Sequence, residues 1–221
     1  MDTIYFLKGI LIYLYVNKIC TYKYYNIDEF LGGYILNKFL IDDYRRIKKN
    51  IILSIPILFI IGTPIHFLYD LTGKMQIVGA IMPVNESVVE HFKLATIPLI
   101  LWWIISYYIL KKKINLDFRK WIFSAAISVL MIPIVITNFY YTYRGVLGIS
   151  SFILDVFSLL LALTIGQILA FHLYKNIRST NMKLMVGILI ILLIIVCTIV
   201  FTFYPIHIPM FRDGNTGLYG I

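Results

Sequence analysis

Residues 184–204 read "LMVGILIILLIIVCTIVFTFY", a run of 21 residues without a charged side chain. An α-helix rises about 1.5 Å per residue, so a run of this length can cross the roughly 30 Å hydrocarbon core of a bilayer. Earlier apolar runs extend the pattern to five predicted spans, at 50–69, 86–110, 120–141, 151–174 and 183–204. The sequence therefore predicts an all-α integral membrane bundle of about five transmembrane helices.

The composition supports a membrane protein. The chain has 221 residues, of which 14% are charged, and its mean hydropathy is +0.86. Soluble domains usually carry about 25% charged residues. The net charge is +9, but the basic residues lie in short loops between the predicted spans, which indicates membrane orientation and not nucleic-acid binding. Cys20 and Cys197 are isolated, so neither a disulfide framework nor a zinc knuckle is predicted.

The first 49 residues differ from the remainder and form a predicted N-terminal segment ahead of a five-span domain at 50–221. Within it, 26–50 has apolar residues at helical spacing and a basic end, which predicts an amphipathic helix lying on the membrane surface. Residues 3–16 are apolar but short and interrupted by Lys8. Both an interfacial helix and a sixth span remain open for them.

The distribution of Lys and Arg predicts the orientation. From residue 45 onward, twelve lie at one end of the predicted spans and four at the other. The four are Lys74, Lys93, Arg144 and Arg212. By the positive-inside rule, the first span begins in the cytoplasm near residue 50 and the C-terminal tail is extracytoplasmic. The composition is typical of an AT-rich bacterial genome, which predicts a multi-pass protein of the bacterial plasma membrane.

Ionisable residues concentrate at the predicted outer end. Five of the six carboxylates after residue 50 and three of the four histidines map there. Such groups are costly near lipid, so they usually face a bundle interior or a water-filled cavity. We expect an outward-facing polar site built from His66, Asp70, Asn85, Glu86, Glu90, His91, Lys93, Tyr141, Arg144 and Asp155. Of these, His66, Asp70, Glu86, Glu90, His91 and Asp155 should converge on one layer.

Helical spacing predicts how these side chains are arranged. His66 and Asp70 are four apart and should share a face in the last turn of the first span. Glu86, Glu90 and Lys93 should share one face of the second span.

A purely structural interpretation explains part of the same pattern. Asn85 is a natural N-cap, and Glu86 would then be a first-turn carboxylate stabilised by the helix dipole. Glu90 and Lys93 would be an ordinary i,i+3 ion pair. His91 points about 100° away from Glu90 on an ideal helix. The pattern thus leaves both a shared site and simple helix stabilisation open.

Four stretches carry a resemblance to a known family: "HFLYDLTG" (66–73), "PVNESVVEHFKL" (83–94), "YYTYRGVLG" (140–148) and "FRDGNTGLYGI" (211–221). Together they resemble an uncharacterised family of bacterial multi-pass membrane proteins whose domain is of unknown function. The resemblance extends from about residue 50 to the C-terminus. It implies a membrane location and no established activity, and it favours the Asn85–Lys93 cluster as a shared site.

Three functional interpretations follow. In the first, the polar site binds an ion, a lipid headgroup or a small polar ligand; transport is less favoured because few polar residues lie deep in the spans. In the second, the chain is a metal-dependent membrane hydrolase with zinc on His66, Glu90 and His91, or with Glu90 as general base. The H-x-x-E-H zinc motif would need His at position 87, where this chain has Ser87. In the third, the chain is a structural or partner subunit of a membrane complex.

The C-terminal tail, "YPIHIPMFRDGNTGLYGI" (204–221), contains two prolines and a turn signal. It can fold back as a lid over the outer pocket or remain a frayed terminus.

Overall fold

A computed structural model describes residues 41–221. Contacts divide the chain into two units, Met1–Arg45 and Arg46–Ile221, and the packing described below is that within the second unit. The 3–16 stretch and residues 26–40 of the predicted interfacial helix lie outside the described residues.

Five of the helices are long and apolar enough to cross a membrane, which confirms the predicted all-α membrane bundle. They are α1 (Ile41–Ile65), α4 (Val88–Lys111), α5 (Phe118–Leu147), α6 (Phe152–Asn176) and α7 (Asn181–Phe203). Two short helices, α2 (Leu68–Leu71) and α3 (Gln76–Ile81), lie between α1 and α4, and a 3₁₀ turn spans Pro209–Phe211. No strand occurs within 41–221.

The bounds of α1 differ from those of the predicted first span at both ends. The helix is already formed at Ile41, ahead of the predicted start at residue 50. It stops at Ile65, before His66. Pro64 has no N–H to donate, and the next residues close i→i−3 turns, with the Phe67 amide 3.2 Å from the Pro64 carbonyl.

Side-chain caps fix where α4, α5 and α7 begin. Ser87, Asp117 and Thr180 each accept a backbone N–H of the first turn through a side-chain oxygen. Successive long helices then run in opposite directions. We call the end of the bundle with Ile65, Val88, Leu147, Phe152 and Phe203 the site end, and the end with Lys111, Phe118, Asn176 and Asn181 the basic end.

Close backbone contact holds the bundle together around α5, which packs against α4, α6 and α7. A Cβ added at Gly166 would lie 2.8 Å from the Ser128 carbonyl oxygen, and one at Gly187 would lie 3.0 Å from the Phe123 Cα. Small residues are typical of membrane helix interfaces because they let backbones approach closely.

A buried hydrogen-bond network links four helices. The Gln167 side-chain oxygen accepts from Trp103 Nε1 at 3.2 Å and from Ser128 Oγ at 3.0 Å, and its amide nitrogen donates to Ser54 Oγ. Gln167, Ser54 and Ser128 are fully buried. These polar residues are therefore satisfied within the core, as buried polar groups must be.

Candidate functional site

Three side chains meet at the site end of the bundle. Glu86 Oε1 lies 2.6 Å from His66 Nε2, and Glu86 Oε2 lies 3.3 Å from His91 Nε2. The two imidazole rings stack with centroids 5.4 Å apart. One ligand atom from each residue can be chosen so that all three lie within 4.8 Å of one another.

Each of these residues comes from a different local structure. His66 follows α1 directly, Glu86 lies in the loop before α4, and His91 is in the first turn of α4. The predicted N-cap, Asn85, is displaced by Ser87, whose Oγ accepts from the Glu90 amide at 3.3 Å. Glu86 is consequently outside the helix and turns towards His91, so the predicted shared face with Glu90 is wrong.

The C-terminal tail holds the Glu86 loop in place. The Glu86 amide donates to Asp213 Oδ1 at 3.1 Å, and Asn85 Nδ2 donates to the Gly220 carbonyl at 3.1 Å. Asp213 also accepts from the amides of Asn215 and Thr216 at 3.2 Å. The tail thus folds back onto the bundle, but its residues do not line the cavity beside His66.

Hydrogen bonds favour the charged forms of the Glu86 and Asp213 carboxylates. Hydrogen bonds from His66 and then His91 hold the pKa of Glu86 well below its usual range, although partial burial acts in the opposite direction. Burial also opposes ionisation of Asp213, but hydrogen bonds from Thr216 and from backbone amides lower its pKa. Glu86 therefore carries a full negative charge at neutral pH, between two imidazoles.

A cavity of about 80 Å³ opens beside the three residues. His66, Glu86, His91, Tyr140 and Asp155 contribute its polar wall. Asp155 accepts a hydrogen bond from the Tyr143 hydroxyl at 2.6 Å. A single water needs about 10–15 Å³ on this scale, so the cavity has room for an ion with several waters. His66 Nδ1 is buried and has no hydrogen-bond partner among the described residues.

Glu90 lies apart from this group, which corrects the predicted ligand set of His66, Glu90 and His91. Glu90 is 3% exposed and Lys93 is 1% exposed, and Lys93 Nζ lies 2.8 Å from Glu90 Oε2. The Val84 amide donates to Glu90 Oε2 at 3.0 Å, and the Thr202 hydroxyl donates to Glu90 Oε1 at 2.7 Å. The pair is therefore a buried, hydrogen-bonded unit.

Lys93 anchors the segment between α1 and α4. Its ammonium donates to the Gly79 carbonyl at 2.7 Å and the Met82 carbonyl at 3.3 Å, and it contacts the Thr202 hydroxyl. Sequence reasoning missed Thr202, because a lone threonine in an apolar helix gives no signal of its partner.

The remaining predicted residues lie elsewhere. Asp70 is exposed and belongs to the short helix α2, so it does not share a face with His66. Tyr141 and Arg144 line a separate groove. Of the six residues expected to converge, three form the tight group, Asp155 shares its cavity, and Asp70 and Glu90 stand apart.

Comparison with known proteins gives one match. A sequence model described as "Family of unknown function (DUF6512)" matches residues 40–221. No protein with a curated description and no solved structure matches the chain.

Proposed function

We propose a role from the geometry of the site alone. The chain belongs to this family of unknown function, so the family supplies no activity to argue from. The role is that of a multi-pass membrane protein that binds a divalent transition-metal ion, most simply Zn²⁺, through His66, Glu86 and His91. The observation that carries the proposal is the convergence of two imidazoles and one carboxylate within 4.8 Å.

The donor set suits zinc. Zn²⁺ binds imidazole nitrogen and carboxylate oxygen at about 2.0–2.2 Å, so tetrahedral ligand atoms lie about 3.3 Å apart. Glu86 Oε2 lies 3.3 Å from His91 Nε2, whereas the other oxygen, Oε1, lies 2.6 Å from His66 Nε2. The three ligand atoms lie within 4.8 Å of one another, so small side-chain shifts would be needed to place them around one ion. Glu86 is already ionised, as a carboxylate ligand must be.

A metal-dependent hydrolase is the second candidate, and the open side of the site favours it. Three protein ligands with a free fourth position are typical of catalytic zinc, whereas structural zinc usually takes four protein ligands. If zinc binds there, it would lower the pKa of a water molecule towards about 7 and so supply a nucleophile. Glu90 cannot act as general base there, because it is committed to Lys93. Asp155 is the carboxylate that shares the cavity with the three ligands.

The orientation of the site is also part of the proposal. The excess of Lys and Arg at the basic end favours that end as cytoplasmic, which would expose the metal site to the outside of the cell. Ligands would then enter from the extracytoplasmic medium or the outer leaflet.

Metal analysis of the full-length, detergent-purified protein tests the proposal. The protein is equilibrated with Zn²⁺, desalted, and assayed for zinc per chain as wild type and as Glu86→Gln, His91→Ala and Asp70→Asn. We expect about one zinc in the wild type and little in the first two variants. Asp70→Asn is the matched control, since this exposed carboxylate is four residues from His66 but outside the group.

Two results would contradict a metal site. One is a folded wild type without stoichiometric zinc; the other is zinc that persists in both Glu86→Gln and His91→Ala. Either would leave the Glu86–histidine contacts as a structural tie between the turn after α1 and the start of α4. Thermal unfolding with and without Zn²⁺ checks the same point, because a ligand bound only by the folded state raises its stability.

A further inference from the structure

A second opening lies at the site end, next to the cavity lined by His66, Glu86 and His91. It is a groove of about 740 Å³ between the end of α5 and the tail. Tyr140, Tyr141 and Arg144 contribute one wall, and 212–217 contribute the other. Tyr140 also lines the cavity beside His66, so the two openings share one side chain.

Arg144 is held in position by its neighbours. Its guanidinium lies over the Tyr140 ring, 4.2 Å from the centroid, and its Nη2 donates to Ser150 Oγ at 2.8 Å. Its side chain also hydrogen-bonds with Tyr143, and its Nε is buried without a hydrogen-bond partner among residues 41–221. A guanidinium carries five N–H donors, so the terminal nitrogens retain donors for a ligand.

Arg212 is fixed on the opposite wall. Its Nε donates to the Gly217 carbonyl at 3.2 Å. Gly217 has φ +74°, and a Cβ there would lie 2.9 Å from Arg212 Nη2. The positive φ favours glycine at this position, and a side chain there would push the Arg212 guanidinium aside. The turn therefore places the Arg212 side chain, which would otherwise be a free surface cation.

Neither guanidinium forms a direct ion pair with a carboxylate within 41–221. The ion pairs found within the described part of the chain involve other cations and include neither Arg144 nor Arg212. The one carboxylate in the groove wall is Asp213, and its oxygens already accept bonds from the amides of Glu86, Asn215 and Thr216. Asp155 interacts with the charge of Arg144 but forms no direct ion pair with it, and Arg212 forms no ion pair either. Both guanidinium groups are therefore able to contact an anion in the groove.

We propose that Arg144 and Arg212 together bind a phosphate group in this groove, supplied by a lipid headgroup or by free phosphate. The planar guanidinium fork matches phosphate oxygens in geometry and charge. Tyr140 and Tyr141 lie at a helix end, where tyrosines in membrane proteins usually mark the headgroup level. The site does not require the metal ion, so it stands or falls independently of the proposed zinc site.

Binding measurements on the full-length protein in maltoside detergent test this. Three probes are titrated: dihexanoyl phosphatidic acid, dihexanoyl phosphatidylcholine and inorganic phosphate. Wild type is compared with Arg144→Gln, Arg212→Gln and Gly217→Ala. Arg119→Gln is the control, because Arg119 is an exposed arginine at the basic end. We expect the phosphatidic acid affinity to fall at least tenfold in both groove arginine variants and to be unchanged in the control.

The probes separate the two sources of phosphate. Competition by millimolar inorganic phosphate identifies a site for the free anion, whereas binding of the lipid alone identifies a headgroup site; both support the proposal. Equal lipid affinity in wild type, Arg144→Gln and Arg212→Gln overturns it. Gly217→Ala keeps both positive charges but should displace the Arg212 side chain. Weaker binding in this variant would show that the position of Arg212 matters and not only its charge. Zinc content measured on the same samples shows whether the metal site has changed.

Discussion

Glu86 connects the two histidines, and its ionisation decides how the site responds to pH. Its folded-state pKa is lowered by the histidine hydrogen bonds, so the stabilisation it contributes is complete above the ordinary glutamate pKa of about 4.3. That contribution is lost only as the pH falls through the lower, folded-state value. Between pH 5.5 and 7.5 the carboxylate therefore stays charged.

Zinc affinity should nevertheless fall across this range. Zinc binds imidazole only in its neutral form, so protons compete with the metal for histidine ligands, while Glu86 stays charged and adds no pH dependence of its own. We expect the zinc Kd to rise from pH 7.5 to pH 5.5, with protons released on binding at the lower pH. Calorimetry in buffers of different ionisation enthalpy measures both quantities. A Kd that is constant down to pH 5.5 would show that imidazole nitrogen is not a ligand.

The charges of Lys93 and Glu90 are expected to be decisive for the stability of the folded protein. Lys93→Met would leave Glu90 buried with no positive partner, and breaking such a pair costs about 3–5 kcal/mol. The double variant Lys93→Met with Glu90→Gln should recover part of this loss, because no uncompensated charge remains. Unfolding in detergent measures both, with the exposed Lys112→Met as control. A single variant as stable as the wild type would contradict the expected cost of leaving the Glu90 carboxylate buried without its partner.

At the scale of elements, hydropathy was sufficient to predict the long helices but not their ends. The predicted second span began at residue 86, and α4 begins at Val88. This difference of two residues decides whether Glu86 faces Glu90 or His91. Asn85 and Ser87 are both good N-caps, so local sequence preference cannot choose between them. The bond from Asn85 to Gly220 favours the observed start, and that contact is not visible in local sequence.

Packing of α5 against α6 provides a prediction about helix contact. Gly166→Ala would place a Cβ 2.8 Å from the Ser128 carbonyl oxygen, a backbone atom that cannot move without shifting α5. We expect a loss of about 1–3 kcal/mol, typical of overpacking. The matched control is Gly145→Ala, where the added Cβ meets no atom within 4 Å apart from the backbone of its own helix. Since Gly145 is inside α5, the control should stabilise by about 0.5–1 kcal/mol. Equal stability of the two variants would refute a tight α5–α6 contact.

At the scale of the whole molecule, the sequence predicted the five spans and the concentration of ionisable groups at one end. It did not predict which of those groups touch. The Glu86 amide and Asp213 are 127 residues apart, and their contact depends on the tail turning back after α7. Contacts between residues this far apart leave no periodic signal in the sequence. Hydropathy and helical spacing therefore predicted which end of the bundle holds the ionisable residues, whereas the tertiary contacts determine which of those residues touch.

The orientation of the bundle remains a prediction, and its test uses the odd number of long helices. Five spans place the start of α1 and the C-terminal tail on opposite sides of the membrane, whatever precedes residue 41. The basic end should be cytoplasmic, because cytoplasmic loops of membrane proteins are enriched in Lys and Arg. Single cysteines at Asn215 and Lys112, both exposed, would report the two sides once Cys20 and Cys197 are replaced by serine and alanine, respectively.

A membrane-impermeant maleimide applied to intact cells should label a cysteine at Asn215 and not one at Lys112. Permeabilisation should make both reactive, which controls for expression and for burial of the thiol. Labelling of the Lys112 position alone in intact cells would invert the topology. The cavity beside His66 and the groove lined by Arg144 and Arg212 would then face the cytoplasm. Their ligands would have to come from the cytosol or the inner leaflet. The residues of both sites would be unchanged by that result, because their geometry depends on contacts within the bundle and not on which side of the membrane it faces.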